Sequence, residues 1–123
     1  VIATMADQVD KIKNKNYGGS MRLGAYDCVL SKDTVAFGAY KNSKISERHR
    51  HRWEVNPDYI EKLEKAGLVF SGKSPNRKLM EVAELPQSAH PFFLGTQFHP
   101  ELKSSPLEPH PLFREFVRAS LKK

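Results

Sequence analysis

The sequence predicts a single α/β domain, and three observations lead to that fold class. Short apolar runs bounded by glycine or proline, such as residues 68–72, have the length and composition of buried strands. Two other stretches, residues 57–66 and 111–121, combine helix start signals with apolar side chains at helical spacing. The chain has 123 residues, 39% of them hydrophobic, which is enough for one modest core.

The first thirty residues give a weaker pattern. Residues 1–4 form a short apolar stub, and residues 7–20 are polar and close on the string YGGS, which predicts a loop. Residues 21–30 mix large apolar side chains with glycine and alanine. That mixture favours a strand over a helix.

The first predicted helix has signals at both ends. Asn56 suits the N-cap, where its side chain can accept a backbone hydrogen bond, and Pro57 fits the first helical position. Gly67 supplies a C-terminal stop. The sequence therefore predicts a helix over residues 57–66.

The second half of the chain alternates apolar runs with proline-rich breaks. Strands are predicted at residues 68–72, 79–85 and 92–98, and prolines follow the last two runs. Residues 104–109, rich in serine and proline, predict a loop. The terminal helix at residues 111–121 has one apolar side. That side carries Leu112, Phe113, Phe116, Val117 and Leu121.

Composition excludes several classes of protein. No apolar run approaches the roughly 20 residues that span a membrane, and residues 1–10 contain two acids and no arginine, so no signal or transit peptide is indicated. The single cysteine, Cys28, excludes an internal disulfide and a cysteine-rich zinc site. We expect a cytoplasmic protein. Because the chain opens on Val1 rather than methionine, we expect it to be a segment of a longer polypeptide.

The net charge of +6 does not by itself predict a nucleic-acid partner. Fourteen acidic residues are interleaved with the basic ones, and the strongest basic cluster, residues 47–54, is bracketed by glutamates. Nucleic-acid binding is therefore not favoured.

The string QFHPE at residues 97–101 is the main candidate for chemistry. It follows an apolar strand, where α/β sheets usually place reactive groups. His99 can act as a base, and Glu101 two residues later can orient its ring and stabilise the imidazolium. The spacing alone is also compatible with a loop histidine beside an exposed glutamate, and it favours that simpler interpretation.

Two histidines in the basic cluster raise the question of a metal. In an extended segment, side chains alternate, so His49 and His51 should face away from Arg48, Arg50 and Arg52. No third ligand of obvious type lies nearby in the sequence, so no metal is predicted. Trp53 is expected to pack behind Arg52.

Four strings together closely resemble the CTP synthase family, in the C-terminal half of its glutaminase domain. They are MRLG at 21–24, ERHRHRWEVN at 47–56, QFHPE at 97–101 and HPLF at 110–113. Their order and spacing both match. QFHPE is shared by many triad-type class I glutamine amidotransferases, whereas MRLG and the arginine-histidine alternation are similar to CTP synthase in particular.

The resemblance implies a fold and an activity. The fold is a glutamine amidotransferase-like (flavodoxin-like) three-layer domain, of which residues 1–123 would be the C-terminal segment. The family converts UTP to CTP in pyrimidine biosynthesis, using ATP and ammonia released from glutamine. The resemblance also implies a synthase domain in the same polypeptide that binds ATP and Mg²⁺, GTP as an allosteric activator, and a homo-oligomer. No cofactor is expected in this segment.

The resemblance also implies roles for three residues. The family hydrolyses glutamine with a Cys-His-Glu triad, and His99 and Glu101 match its histidine and carboxylate. Arg52 matches the arginine that binds glutamine. Its planar guanidinium suits the α-carboxylate of that substrate. Arg22 and the arginine cluster could border the ammonia passage or the GTP site.

The sequence departs from the family at the nucleophile. The family places its cysteine in a Gly-x-Cys-x-Gly-x-Gln turn, and this chain contains no such string. Cys28 has no neighbouring glycines for a sharp turn and is expected to be a partly buried structural residue on a strand. We therefore expect the nucleophile half of the domain to be absent and the isolated chain to be inactive.

A second hypothesis comes from a different class of function. A non-catalytic basic α/β module could use a row of three arginines, Arg48, Arg50 and Arg52, to hold an anionic partner such as a nucleotide or RNA. The polypeptide upstream of Val1 would separate the two hypotheses, because only the enzyme requires the cysteine turn there.

Overall fold

The computed structural model describes residues 1–4 and 21–122 of the chain. The loop predicted at residues 7–20 lies outside the described residues. In chain order the described elements are β1 (Ile2–Thr4), β2 (Arg22–Leu30), α1 (Val35–Tyr40), β3 (Lys44–His51), β4 (Trp53–Val55), α2 (Pro57–Lys65), β5 (Val69–Lys73), β6 (Met80–Glu84), β7 (Leu94–Thr96), a 3₁₀ turn (Pro100–Lys103) and α3 (Pro111–Leu121).

These elements confirm the predicted α/β class and most of the predicted order. β2, β5, β6, α2 and α3 lie where the sequence predicts them, within one residue at every end. The predicted strand at 92–98 is shorter and runs only over Leu94–Thr96. None of the described helices is both long and apolar enough to cross a bilayer.

The described strands form two antiparallel sheets. The larger has the order β3-β2-β5-β6-β7, and the smaller pairs β1 with β4. β2 and β3 pair along most of their length, with Val29 opposite Lys44 at one end and Arg22 opposite His51 at the other. This register places the start of β2 beside the point where β3 ends and the chain turns into β4.

The hydrophobic core lies between the larger sheet and the helices α1 and α3. Its buried members come from strands, helices and the segment after β7. They are Cys28, Leu30, Ala36, Ala39, Val82, Phe98 and Leu112. Cys28 lies on β2, which confirms the predicted strand position, and its side chain is fully buried rather than partly buried as predicted.

The short helix α1 was not predicted, and part of its N-terminal capping comes from a distant part of the chain. Thr34 accepts a hydrogen bond from the backbone amide of Phe37, as an N-cap should. The buried Glu84 carboxylate of β6 also accepts from the amides of Val35 and Ala36, at 2.7 and 3.0 Å. Negative charge at a helix N-terminus is favourable.

A buried polar cluster attaches β3 to α1 and α3. Glu47 Oε1 accepts hydrogen bonds from the Tyr40 hydroxyl at 2.8 Å and from His110 Nε2 at 2.7 Å. The amide of Leu112 donates to His110 Nδ1 at 3.2 Å, so Nε2 is the protonated nitrogen that faces Glu47. His110, the first residue of HPLF, therefore caps α3. Its ring also bonds to Glu47, the first residue of the ERHRHRWEVN string.

Two strand glycines give a matched test of this packing. A Cβ at Gly72 on β5 would lie 2.7 Å from Val82 Cγ2 and 3.0 Å from Cys28 Sγ, whereas a Cβ at Gly95 on β7 would meet nothing within 4 Å. We expect Gly72→Ala to lower the free energy of unfolding by about 1–3 kcal/mol through overpacking. Gly95→Ala should leave it unchanged or slightly raised. Urea unfolding of both variants measures the difference, and equal midpoints would contradict the described contact between β5 and the core.

Candidate functional site

The side chains of His99 and Glu101 lie in contact just after β7. His99 Nδ1 is 2.6 Å from Glu101 Oε1, at the start of the 3₁₀ turn. Hydrogen bonds from its own backbone amide, and then from His99, lower the pKa of the Glu101 carboxyl. The ionised carboxylate accepts the Nδ1 proton, which leaves Nε2 as the ring nitrogen able to take up a proton. The structure thus brings together the two side chains that the sequence names as the candidate base and its orienting carboxylate.

Backbone hydrogen bonds attach the segment at residues 97–99 to two strands of the larger sheet. The amide of His99 donates to the carbonyl of Arg48 on β3, and the amide of Gln97 donates to the carbonyl of Glu81 on β6, both at 2.9 Å. Between them the Phe98 side chain is buried in the core. The position of the imidazole is therefore set by β3, β6 and the core.

The pair itself stands on an open surface of the described residues. The side chains of His99 and Glu101 are 41% and 57% exposed. Two surface cavities, of about 820 and 590 Å³, lie elsewhere: the first between α1 and α3, the second beside Glu47 and His110. Neither cavity includes the pair among its lining residues.

Arg52 lies in the bend between β3 and β4. The predicted alternation is confirmed along β3, where Arg48 and Arg50 are exposed and His49 is buried. Arg52 follows the last residue of that strand and is half-buried, so it does not share the exposure of the other two arginines. The bend thus separates the candidate substrate-binding arginine from the exposed row.

Trp53 lies on the surface, outside the hydrophobic core. Its side chain is 53% exposed. The next residue of β4, Glu54, takes the inward position because its carboxylate binds Arg22. Alternation along the strand then leaves Trp53 on the outer face.

A buried ion cluster lies beneath the bend, and no local pattern in the sequence indicates it. Arg22 Nη1 donates to Glu54 Oε1 at 2.9 Å and to Glu81 Oε1 at 2.7 Å. The three side chains are at most 6% exposed. Burial raises the pKa of Glu54 to about 7 and also raises the pKa of Glu81, in both cases against the opposing effect of Arg22. The partners lie 32 and 59 residues from Arg22 in the sequence.

The same cluster corrects the expectation that the two histidines have no third ligand-type neighbour. Ligand-type atoms of His49, His51 and Glu81 lie within 4.8 Å of one another. Glu81 was missed because β6 brings it there from a distant part of the sequence. Two of these residues already bond each other, His49 Nδ1 to His51 Nε2 at 2.8 Å, and Glu81 also pairs with Arg22. Burial, with Arg22 as a smaller cause, lowers the pKa of His49 to about 3.

Comparisons with known proteins show which family this chain resembles. Residues 1–119 match the family described as "Glutamine amidotransferase class-I". The chain is 57% identical over 122 residues to a CTP synthase of Saccharopolyspora erythraea and 56% identical over 123 residues to one of Rhodococcus jostii. These alignments cover 98% and 99% of the chain but 22% and 21% of those relatives, so the chain spans about a fifth of their length.

A solved structure extends the comparison to the fold. The chain superposes on "Trypanosoma brucei CTPS - glutaminase domain with bound acivicin" with a TM-score of 0.85 and 37% sequence identity. All of this chain and 46% of that chain are covered. The likeness confirms the predicted glutamine amidotransferase-like fold class.

The environment of Cys28 generates a prediction about its reactivity. Burial is the main cause that raises the pKa of this thiol to about 12, so little thiolate is present at pH 8. We expect the folded chain to react with an alkylating reagent at least 100-fold more slowly than the unfolded chain. Ser105→Cys, which adds a thiol at an exposed loop position, is the control and should contribute one rapidly modified group. Rapid alkylation of Cys28 under native conditions would contradict its structural role.

Proposed function

The chain belongs to the class I glutamine amidotransferase family, and we propose that it is the C-terminal part of the glutaminase domain of a CTP synthase. The observation that carries the proposal is the contact between His99 and Glu101 immediately after a strand. The four matching strings, and relatives above 50% identity along the whole chain, support it.

In the proposed reaction, His99 is the general base and then the general acid. Its Nε2 takes the proton of the catalytic thiol, the thiolate attacks the side-chain amide of glutamine, and the same nitrogen returns the proton to the departing ammonia. Water then hydrolyses the thioester to glutamate and regenerates the thiol. Glu101 holds the ring through Nδ1 and stabilises the imidazolium while the proton is on it.

The nucleophile of this reaction comes from outside the chain. The only cysteine of the sequence, Cys28, is fully buried on β2 and protonated at neutral pH. Its environment is that of a structural residue, without the exposed turn that an attacking thiolate needs. The chain alone should therefore release no ammonia from glutamine.

Arg52 is the proposed binding residue for the α-carboxylate of glutamine. The bend between β3 and β4 holds it half-buried. Partial removal of water strengthens a bidentate contact between a guanidinium and a carboxylate. A charged group in this position selects glutamine over amides that have no α-carboxylate.

The wider activity is proposed on the likeness to the CTP synthases. In the full-length polypeptide, the ammonia would pass to a synthase domain that binds ATP and Mg²⁺, phosphorylates UTP and forms CTP. GTP activation, a homo-oligomer and a cytoplasmic location belong to the same proposal. No residue of this chain is assigned to ATP, Mg²⁺ or GTP.

The alternative, a non-catalytic module that binds an anionic partner through three arginines, has less support. Only Arg48 and Arg50 form an exposed pair on β3, and Arg52 lies in the bend. The relatives that cover the chain are enzymes by name.

Substitution of His99 tests the proposed triad in the full-length polypeptide. His99→Ala should lower glutamine-dependent CTP formation by about 10³-fold or more, because proton transfer to and from the reacting groups is lost. Glu101→Gln should lower it by a smaller factor, about 10²-fold, because the base remains but is less well oriented. Synthesis from added ammonia bypasses the glutaminase step and should stay within about twofold for both variants. Equal loss of both activities would contradict the assignment.

Substitution of Arg52 tests substrate binding. Arg52→Lys keeps the charge but loses the bidentate geometry, so we expect the KM for glutamine to rise by about 10-fold, with a smaller change in kcat. Arg50→Lys on the exposed face of β3 is the matched control and should leave both constants unchanged. Steady-state ammonia release measures both variants. An Arg52→Lys enzyme with an unaltered KM would remove this residue from the site.

A further inference from the structure

The two residues on either side of Arg52 are joined by a hydrogen bond. His51 Nδ1 lies 3.1 Å from the backbone carbonyl oxygen of Trp53. A carbonyl oxygen only accepts, so the proton of this bond is on Nδ1. The bond spans the bend and restricts the backbone from which the Arg52 side chain extends.

The tautomer of His51 determines that of His49. Burial, followed by the nearby Arg22, lowers the pKa of His51, which favours the neutral ring. With its proton on Nδ1, neutral His51 has an acceptor at Nε2, and this atom lies 2.8 Å from His49 Nδ1. His49 therefore donates from Nδ1 and has its own acceptor at Nε2.

This series of hydrogen bonds ends beside the ion cluster around Arg22. His49 Nε2 lies 3.5 Å from Glu81 Oε2, and both atoms are buried without a hydrogen-bond partner. Burial raises the pKa of Glu81 and lowers that of His49, so a shared proton is favoured on the carboxyl group. The order of donation is then His49 to His51 and His51 to the Trp53 carbonyl, and the Glu81 carboxyl group faces the acceptor nitrogen of His49.

His49 also contacts the residues that hold the segment at 97–99 in place. The His49 ring packs edge-on against Phe98, with centroids 5.9 Å apart, and Phe98 is adjacent to His99. The backbone carbonyl of Glu81 accepts the amide hydrogen bond of Gln97. The bend at Arg52 and the segment that carries His99 thus share one buried support.

We propose that His51, held by His49, is a positioning residue that fixes the bend at Arg52 and thereby sets the affinity of the site for the α-carboxylate of glutamine. The proposal rests on the proposed role of Arg52 as the carboxylate-binding residue. His51 acts through Arg52 and does not touch the substrate.

Two variants of the full-length polypeptide distinguish the contribution of Nδ1 of His51 from that of Nε2. In His51→Asn, the amide nitrogen occupies the place of Nδ1 and can still donate to the Trp53 carbonyl. In His51→Gln, the amide reaches the place of Nε2, and the bond across the bend is lost. We expect the KM for glutamine to rise about 10-fold in the Gln variant and less than about threefold in the Asn variant. His90→Gln, in an exposed loop, is the control and should leave the KM unchanged.

The dependence on Arg52 is tested by combining the substitutions. If His51 acts through Arg52, His51→Gln should raise the KM by less than about twofold in the Arg52→Lys background. Equal KM values for the Asn and Gln variants, or an undiminished effect of His51→Gln in the Arg52→Lys background, would overturn the proposal. Loss of ammonia-dependent synthesis in both single variants would also overturn it, because His51 would then serve the fold as a whole. Failure of the proposed function can be told apart from failure of this inference, because the former appears as unchanged glutamine-dependent activity in His99→Ala.

Discussion

The arrangement of the site depends on one buried guanidinium. Arg22 extends from the first residue of β2 and binds Glu54 of the smaller sheet and Glu81 of the larger sheet through a single nitrogen, Nη1. Removing one partner from a buried ion pair leaves an uncompensated charge and costs about 3–5 kcal/mol. The bend between β3 and β4 is fixed relative to β6 because both sheets contribute a carboxylate to the same cation.

The charges of this cluster favour a neutral histidine beside Glu81. One guanidinium balances one carboxylate, so two buried glutamates around Arg22 favour retention of a proton, and burial raises the pKa of both. A cationic side chain at position 49 would compete with Arg22 for Glu81. An aliphatic side chain there would leave Glu81 Oε2 without any polar neighbour. A neutral imidazole at His49 avoids both problems, because Nδ1 bonds to His51 while Nε2 places a polar neighbour 3.5 Å from Glu81 Oε2.

The sequence predicted those parts of the molecule whose determinants are local. Helix α2 has its cap, its proline and its stop glycine within twelve residues, and His99 and Glu101, which are in contact, are only two residues apart. Helix α1 was missed because its amides are satisfied by Glu84, and the third neighbour of the histidines was missed because Glu81 comes from β6. Composition and alternation cannot indicate such pairings, which arise only when the sheet assembles. The roles given to His99, Glu101 and Arg52 came from the family resemblance.

The exposure of His99 and Glu101 to solvent limits the strength of the electrostatic interaction between them. A carboxylate more than half exposed to water interacts weakly with an imidazolium, because solvent screens the attraction. The segment that carries His99 is therefore positioned by its backbone bonds to β3 and β6, which do not require the carboxylate, while Glu101 selects the ring tautomer. In the proposed reaction, bound glutamine and the segment that carries the nucleophile would exclude water from the pair. Each electrostatic interaction there would strengthen as the water leaves. The ring is thus held in place before the proposed substrate binds, and in the proposed reaction its contact with Glu101 strengthens once water is excluded.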